Sequence, residues 1–150
     1  MTLRSGHTGI NVTDLDRSLA FYRDVLGFPL LAEGKEDDRR YAFLGAPGGD
    51  GTPVLTLWQQ ARGAYDAGRA GLHHLAFTAD SADRVRAYES ALRAAGAVFA
   101  HEGLVAHREG GASGGIFFHD PDGTRLEISV PDGAEGAPAP HGATPTCGFF

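Results

Sequence analysis

The chain has 150 residues, enough for one globular domain with a substantial hydrophobic core. Its net charge of −6 at pH 7 argues against nucleic acid or an anionic membrane surface as its main partner. The only cysteine, Cys147, excludes an internal disulfide and is typical of a reducing compartment. We find no apolar run long enough to cross a membrane and no signal-peptide core, and we therefore expect a cytoplasmic protein.

Two segments of the chain follow the same plan, one starting at His7 and the other at His74. Each combines a short strand, an Asp-containing helix start and a helix closed by glycine, Gly27 or Gly96. Strand-like runs follow each helix, so each half is predicted to be β-α-β-β with room for one more strand. The helical spacing rests on Leu15, Leu19, Tyr22 and Leu26 in the first half, and on Val85, Tyr88, Leu92 and Ala95 in the second. The candidate N-caps are Thr13 or Asp14, and Asp80 or Ser81.

Strand alternation predicts which polar side chains point away from the helices. Apolar neighbours such as Ile10 and Val12 take the helix side, which leaves His7 on the opposite face. The same alternation places His74 and Glu127 on that face of their strands. Two imidazoles and one carboxylate can bind a divalent metal and leave coordination positions open for substrate.

Other polar residues offer competing interpretations. A single strand histidine is more often exposed or hydrogen-bonded than a ligand, but three matched positions in a duplicated plan favour a metal site. His73 is interpreted as structural, because alternation turns it away from His74. Cys147 is interpreted as a tail residue without a role in catalysis. The remaining candidates lie in or near loops, where exposed histidine is ordinary: His101, His107 and His119.

Three motifs, GHTGINVTDLDRSLAFYRDVLGF, GLHHLAF and FFHDPDGTRLEIS, resemble the vicinal oxygen chelate superfamily, which includes glyoxalase I, fosfomycin-resistance enzymes, extradiol dioxygenases and bleomycin-type drug-binding proteins. The resemblance implies an α+β fold of two tandem βαβββ modules that form a curled mixed sheet. It implies one domain over residues 1–131, with module one at about 4–60 and module two at about 70–131. It also places His7, His74 and Glu127 on the family's ligand positions, for one divalent ion of Fe, Mn, Ni, Co or Zn.

The sequence departs from specific branches of that superfamily. The resemblance implies that glyoxalase I binds its metal with four ligands, one of them a Glu or Gln at the position of Thr56. Threonine at this position argues against glyoxalase I activity here. The dioxygenase pattern has tyrosine at the position of Phe117. The fosfomycin enzymes have serine and tyrosine at the positions of Gly115 and Phe117.

We therefore expect a metal-dependent enzyme acting on a small oxygen-rich substrate as a dioxygenase, lyase, isomerase or transferase. The metal would chelate neighbouring oxygens and stabilise an oxyanion or enolate. The alternative is a non-catalytic module that sequesters a planar drug. The catalytic base is unassigned, with His107 and Glu109 as candidates. The substrate-pocket candidates are Asn11, Thr56, Trp58 and Phe117.

Two further expectations concern assembly and the C-terminus. The resemblance implies a homodimer, in which modules pair within one chain or across two. Residues 132–150 are rich in Pro, Gly and Ala, which predicts an extended, helix-free tail. Its final Gly-Phe-Phe could dock on the body of the protein, dock on a partner subunit or remain disordered.

Overall fold

A computed structural model of the chain describes residues 2–142 and 144–150. The chain divides into two compact units, one ending at Ala64 and the other beginning at Tyr65. The first unit contains β1 (Thr8–Val12), α1 (Leu15–Leu19) continued by a π-helical segment (Ala20–Val25), β2 (Leu30–Glu36), β3 (Arg39–Gly45) and β4 (Pro53–Gln59). The second contains β5 (Leu75–Thr78), α2 (Ala82–Ala94), β6 (Val105–Ala106), β7 (Gly114–His119), β8 (Arg125–Val130) and a 3-10 turn (Thr146–Gly148).

Each unit has the predicted βαβββ order, and its strands form a mixed sheet. In the part of the chain described, the strand order is β1-β4-β3-β2 in the first unit and β5-β8-β7-β6 in the second. The first strand of each unit is parallel to the last strand of that unit: β1 pairs with β4, with Gly9 opposite Thr56, and β5 pairs with β8, with Ala76 opposite Glu127. The remaining pairs are antiparallel. The prediction of two tandem βαβββ modules is confirmed.

The helices begin and end where local chemistry predicts. The carboxylate of Asp14 accepts a hydrogen bond from the backbone N–H of Arg17 at 3.0 Å, which makes Asp14 the N-cap of α1. Ser81 does the same for α2 through the N–H of Arg84 at 3.2 Å. Gly27 has φ 77°, and this left-handed conformation stops the first helix because residues with a Cβ rarely adopt it.

The predicted helical stripes account for much of the core. In the first helix Leu15, Leu19, Tyr22 and Leu26 are all at most 3% exposed. In α2, Val85 and Leu92 are fully buried, whereas Tyr88 is partly exposed and Ala95 is exposed. Ala95 departs from the expected stripe because it is the C-cap, where the chain leaves the helix.

The two predicted ligand histidines lie just outside the strands on which they were expected. His7 precedes β1 and His74 precedes β5, each by one residue. The reason is that pairing with the neighbouring strand begins at Thr8 and Leu75. Both histidines thus keep equivalent positions at the start of a parallel outer strand.

The C-terminal segment is not helix-free as predicted, because Thr146–Gly148 forms a 3-10 turn after Pro145. The segment also packs along the rest of the second unit, where the carbonyl oxygen of Pro138 accepts a hydrogen bond from the backbone N–H of Ala106 at 2.8 Å. These backbone bonds compensate for the low helix and strand propensity of the segment. Within the described residues, the structure has no helix with the length and apolarity needed to cross a membrane.

Gly114 provides a stability test of this packing. A Cβ added at Gly114 would collide with the carbonyl oxygen of Val105 and lie 2.7 Å from the Cβ of Ala134. We expect Gly114→Ala to lower the free energy of unfolding by about 1–3 kcal/mol in urea denaturation, because backbone atoms must shift to accept the methyl group. Gly136→Ala is the control, since nothing lies within 4 Å of its added Cβ. Equal stability of the two variants would contradict the close approach.

Candidate metal centre

The centre of the candidate site is a buried carboxylate. Glu127 lies in the middle of β8, opposite Phe117 on one side and Ala76 on the other, and it is only 3% exposed. Two imidazoles satisfy its oxygens: Nε2 of His107 lies 2.7 Å from Oε1, and Nε2 of His74 lies 3.3 Å from Oε2. A carboxylate removed from water is stable only with such partners or a cation.

His74 presents the nitrogen expected of a metal ligand. Its Nδ1 lies 2.8 Å from Nδ1 of His73, so the other nitrogen, Nε2, faces Glu127. Burial lowers the pKa of His74, and the nearby His73 and Arg125 lower it further, against the opposing effect of Glu127. Burial therefore favours the neutral imidazole, which is the form that binds metals. Alternation predicted that His73 points away from His74, but the two imidazoles are in contact. The reason is that the chain before β5 is irregular.

His107, for which the sequence suggested either an ordinary loop position or the role of catalytic base, lies against Glu127. Its Nδ1 lies 3.0 Å from the hydroxyl of Ser113, and its backbone N–H donates to the Ser113 carbonyl at 3.0 Å. The β6-β7 hairpin causes this arrangement, because Ala106 pairs with Gly114 and brings the flanking residues together. The glycine-rich run after His107 was the available signal for such a hairpin. Glu109, the other candidate base, is exposed on the same loop.

Cys147 joins this group from the far end of the chain. Its sulfur, a nitrogen of His74 and an oxygen of Glu127 all lie within 4.8 Å of one another. Burial raises the pKa of the Cys147 thiol, and the nearby Glu127 carboxylate raises it further. Nothing in the local sequence PTCGFF indicated this proximity, because it results from the path of the whole tail.

Phe117, a predicted pocket residue, is fully buried. The ring of Phe150 lies against it at 5.4 Å between centroids, and the rings of His101 and His107 approach at 5.4 and 6.2 Å. Phe117 therefore presents no exposed face to a substrate in this structure.

The other predicted site residues belong to the first unit. His7 is exposed at the start of β1. Thr56 is only 4% exposed. It has the position in β4 that Glu127 has in β8: Thr56 lies opposite Gly9, two residues after His7, and Glu127 lies opposite Ala76, two residues after His74. Its hydroxyl accepts from Nε1 of Trp58 at 3.1 Å. The first module therefore lacks the carboxylate of the second.

Aromatic side chains surround Trp58 on the same unit. The rings of Tyr41 and Phe43 lie 5.2 and 6.3 Å from the Trp58 ring. All three side chains are partly exposed. The exposed Asn11 lies near the end of this surface, where its Oδ1 accepts from Nε2 of Gln60 at 2.8 Å.

The donor atoms in the second unit suit a divalent transition metal. Imidazole nitrogen, carboxylate oxygen and thiolate sulfur are the three ligand types that zinc accepts in proteins, and imidazole also suits Fe, Co and Ni. His74 and Glu127 are therefore chemically able to hold the metal that the sequence predicted.

Comparisons with known proteins agree with this architecture. A family model described as "Glyoxalase/Bleomycin resistance protein/Dioxygenase superfamily" matches residues 4–128. Lactoylglutathione lyase of Haemophilus influenzae is 35% identical over 129 residues, covering 81% of this chain and 88% of that protein.

Two solved structures extend the comparison. A glyoxylase/bleomycin resistance protein/dioxygenase domain from Frankia sp. EAN1pec superposes with a TM-score of 0.74 at 26% identity, over 87% of this chain and 99% of that one. The trypanothione-dependent glyoxalase I of Leishmania major superposes with a TM-score of 0.65 at 26% identity, over 87% and 88%. With the family model spanning both modules, this chain belongs to the Glyoxalase/Bleomycin resistance protein/Dioxygenase superfamily.

Proposed function

We propose that the protein is a divalent-metal-dependent enzyme of the lyase or isomerase type. Its substrate would be a small molecule with two neighbouring oxygens. The observation that supports this most directly is the buried Glu127 carboxylate, with Nε2 of His74 and Nε2 of His107 against its two oxygens. Such a cluster is costly to bury and serves well as part of a cation site.

The proposed ligands are His7, His74 and Glu127. His7 is included because it stands at the start of β1 as His74 stands at the start of β5. A bound divalent ion would act as a Lewis acid toward the substrate oxygens and lower the energy of the charge that develops there. The protein would hold the substrate in place and keep bulk water from the reacting atoms.

His107 is proposed to position Glu127 rather than to bind the metal. With Ser113 on Nδ1 and Glu127 on Nε2, the ring is held at both nitrogens. It can donate Nε2–H to one carboxylate oxygen, which leaves the other oxygen directed toward His74. Partners of this kind fix the orientation of a ligand and raise metal affinity.

The finer proposal is lactoylglutathione lyase activity, as in the Haemophilus influenzae relative. This is the glyoxalase I activity that Thr56 argued against in the sequence, and the similarity to curated lyases is what favours it here. Thr56 argues for a modified site, because module one supplies a hydroxyl where module two supplies a carboxylate. With one carboxylate fewer, the site would carry less negative charge and leave more coordination positions to substrate or water.

The first prediction concerns metal content. We expect the purified protein to hold about one Fe, Mn, Ni, Co or Zn ion per chain by elemental analysis, and Glu127→Ala and His74→Ala each to lose it, because each removes a ligand. Glu102→Ala, which changes an exposed glutamate of the same unit, should retain the metal. Retention of metal in both ligand variants would contradict the site.

The second prediction concerns the reaction. We expect the metal-loaded protein to form the glutathione thioester from methylglyoxal and glutathione, followed by ultraviolet absorbance. Glu127→Ala should lower kcat/KM by at least about a hundredfold, because the stabilisation of the developing oxyanion is lost with the metal. A metal-loaded protein that forms no thioester would reject the lyase assignment and leave the metal site intact.

The third prediction concerns His107. We expect His107→Ala to weaken metal affinity by about 10–100-fold in a competition titration, because the Glu127 carboxylate loses its support. Glu109→Ala, an exposed change on the same loop, should leave the affinity unchanged. Equal affinities in the two variants would remove His107 from the site.

A drug-binding function is the second candidate, and the aromatic surface of Tyr41, Phe43 and Trp58 favours it. Partly exposed aromatic rings of this kind suit a planar ligand. Because Trp58 is the only tryptophan, its fluorescence reports on that surface alone. Tight, metal-independent quenching by a planar drug, without turnover, would favour this function over the enzyme.

A homodimer is proposed, in which His7 comes from the same chain or from a second copy. Mixing His7→Ala with Glu127→Ala protein distinguishes the two arrangements. If two chains share each site, re-association restores metal to roughly a quarter of the sites, because half of the dimers are mixed and each carries one complete site. If one chain supplies all ligands, the mixture binds none.

A further inference from the structure

The position of Cys147 is set by hydrogen bonds that hold its neighbour. The hydroxyl of Thr146 donates to the carbonyl of Ala106 at 2.9 Å, and its backbone N–H donates to the carbonyl of His107 at 2.9 Å. Thr146 is fully buried. The tail is therefore attached to β6 and its hairpin at the residue that precedes the thiol.

The Cys147 thiol lies close to two other groups that can bind a cation. The sulfur, one His74 nitrogen and one Glu127 oxygen lie within 4.8 Å of one another, and each is a different ligand type. Metal–ligand bonds are about 2.0–2.3 Å long, so a cation could contact all three after small side-chain movements. Cys147 is partly buried, which limits its competing contacts with water.

We propose that Cys147 is a metal ligand, so that the C-terminal tail supplies a thiolate to the same ion as His74 and Glu127. This inference rests on the metal site of the proposed function and adds a ligand to it. On binding, the sulfur lone pair bonds to the metal and the thiol proton passes to solvent. The metal gains a soft donor, which favours zinc or cobalt over magnesium or calcium.

The residues after Cys147 act with it. The ring of Phe150 lies 5.5 Å from the ring of His74 and 5.4 Å from that of Phe117, and the Arg125 guanidinium lies 5.6 Å from its centroid. Thiol and ring thus approach the same carboxylate-bearing strand from the tail. A thiolate bound to the metal occupies one coordination position for as long as the tail is docked.

The test uses cobalt as an optical probe of the full-length protein. A thiolate bound to Co(II) gives an intense sulfur-to-metal charge-transfer band in the near ultraviolet. Because the chain has one cysteine, such a band in the wild type comes from Cys147. We expect the band in the wild type and its loss in Cys147→Ser, with zinc affinity reduced at least about tenfold in competition titration.

Two further variants locate the band. Glu127→Ala should abolish it, whereas Phe150→Ala should retain it, because that change removes the ring and leaves the thiol. A band that persists in Glu127→Ala would mean that cobalt meets the thiol elsewhere, and it would overturn the inference.

Equilibrium dialysis with cobalt separates this inference from the proposed function. Cobalt bound to the wild type without the band would overturn the role of Cys147 while the metal site stands. A wild type that binds no cobalt, zinc, nickel, manganese or iron would overturn both.

Discussion

The structure of the second module depends on accommodating one buried carboxyl group, that of Glu127. A strand in the middle of a sheet offers that group no water, so its partners must come from other segments. His74 arrives from the start of the parallel strand β5 and His107 from the end of the hairpin strand β6. Strand pairing therefore brings both imidazoles to this carboxylate and forms the candidate metal site.

The duplicated topology makes the difference between the modules informative. The registers of β1 with β4 and of β5 with β8 are equivalent, so Thr56 and Glu127 are counterparts. Thr56 uses its hydroxyl to accept from Trp58, beside Tyr41 and Phe43. One module thus presents an aromatic surface where the other presents ionisable side chains. This asymmetry is compatible with a superfamily in which one fold serves several chemistries.

The C-terminal tail covers part of the second module and adds side chains near Glu127. Its backbone bonds to Ala106 and His107, and its last ring packs against Phe117 and His74. A segment whose composition is typical of a flexible terminus is therefore ordered by the surface it covers. The Cys147 thiol lies close to Glu127, and the Phe150 ring lies against His74, so the C-terminus forms part of the surroundings of the candidate site.

Much of the fold could be predicted from the sequence, because it depends on local patterns. Helical spacing from Leu15 to Leu26, the capping residues Asp14 and Ser81, and strand alternation around Ile10 and Glu127 are short-range signals. The same signals, applied to two halves, identified His74 and Glu127 as candidate ligands. The sequence named His107 only as a loop histidine or candidate base, and it gave Cys147 no role. The contact of His107 with Glu127 and the proximity of Cys147 to it appeared only in the tertiary structure. Their proximity is set by a hairpin register and by the path of the tail, and neither has a periodicity that a linear pattern can reveal.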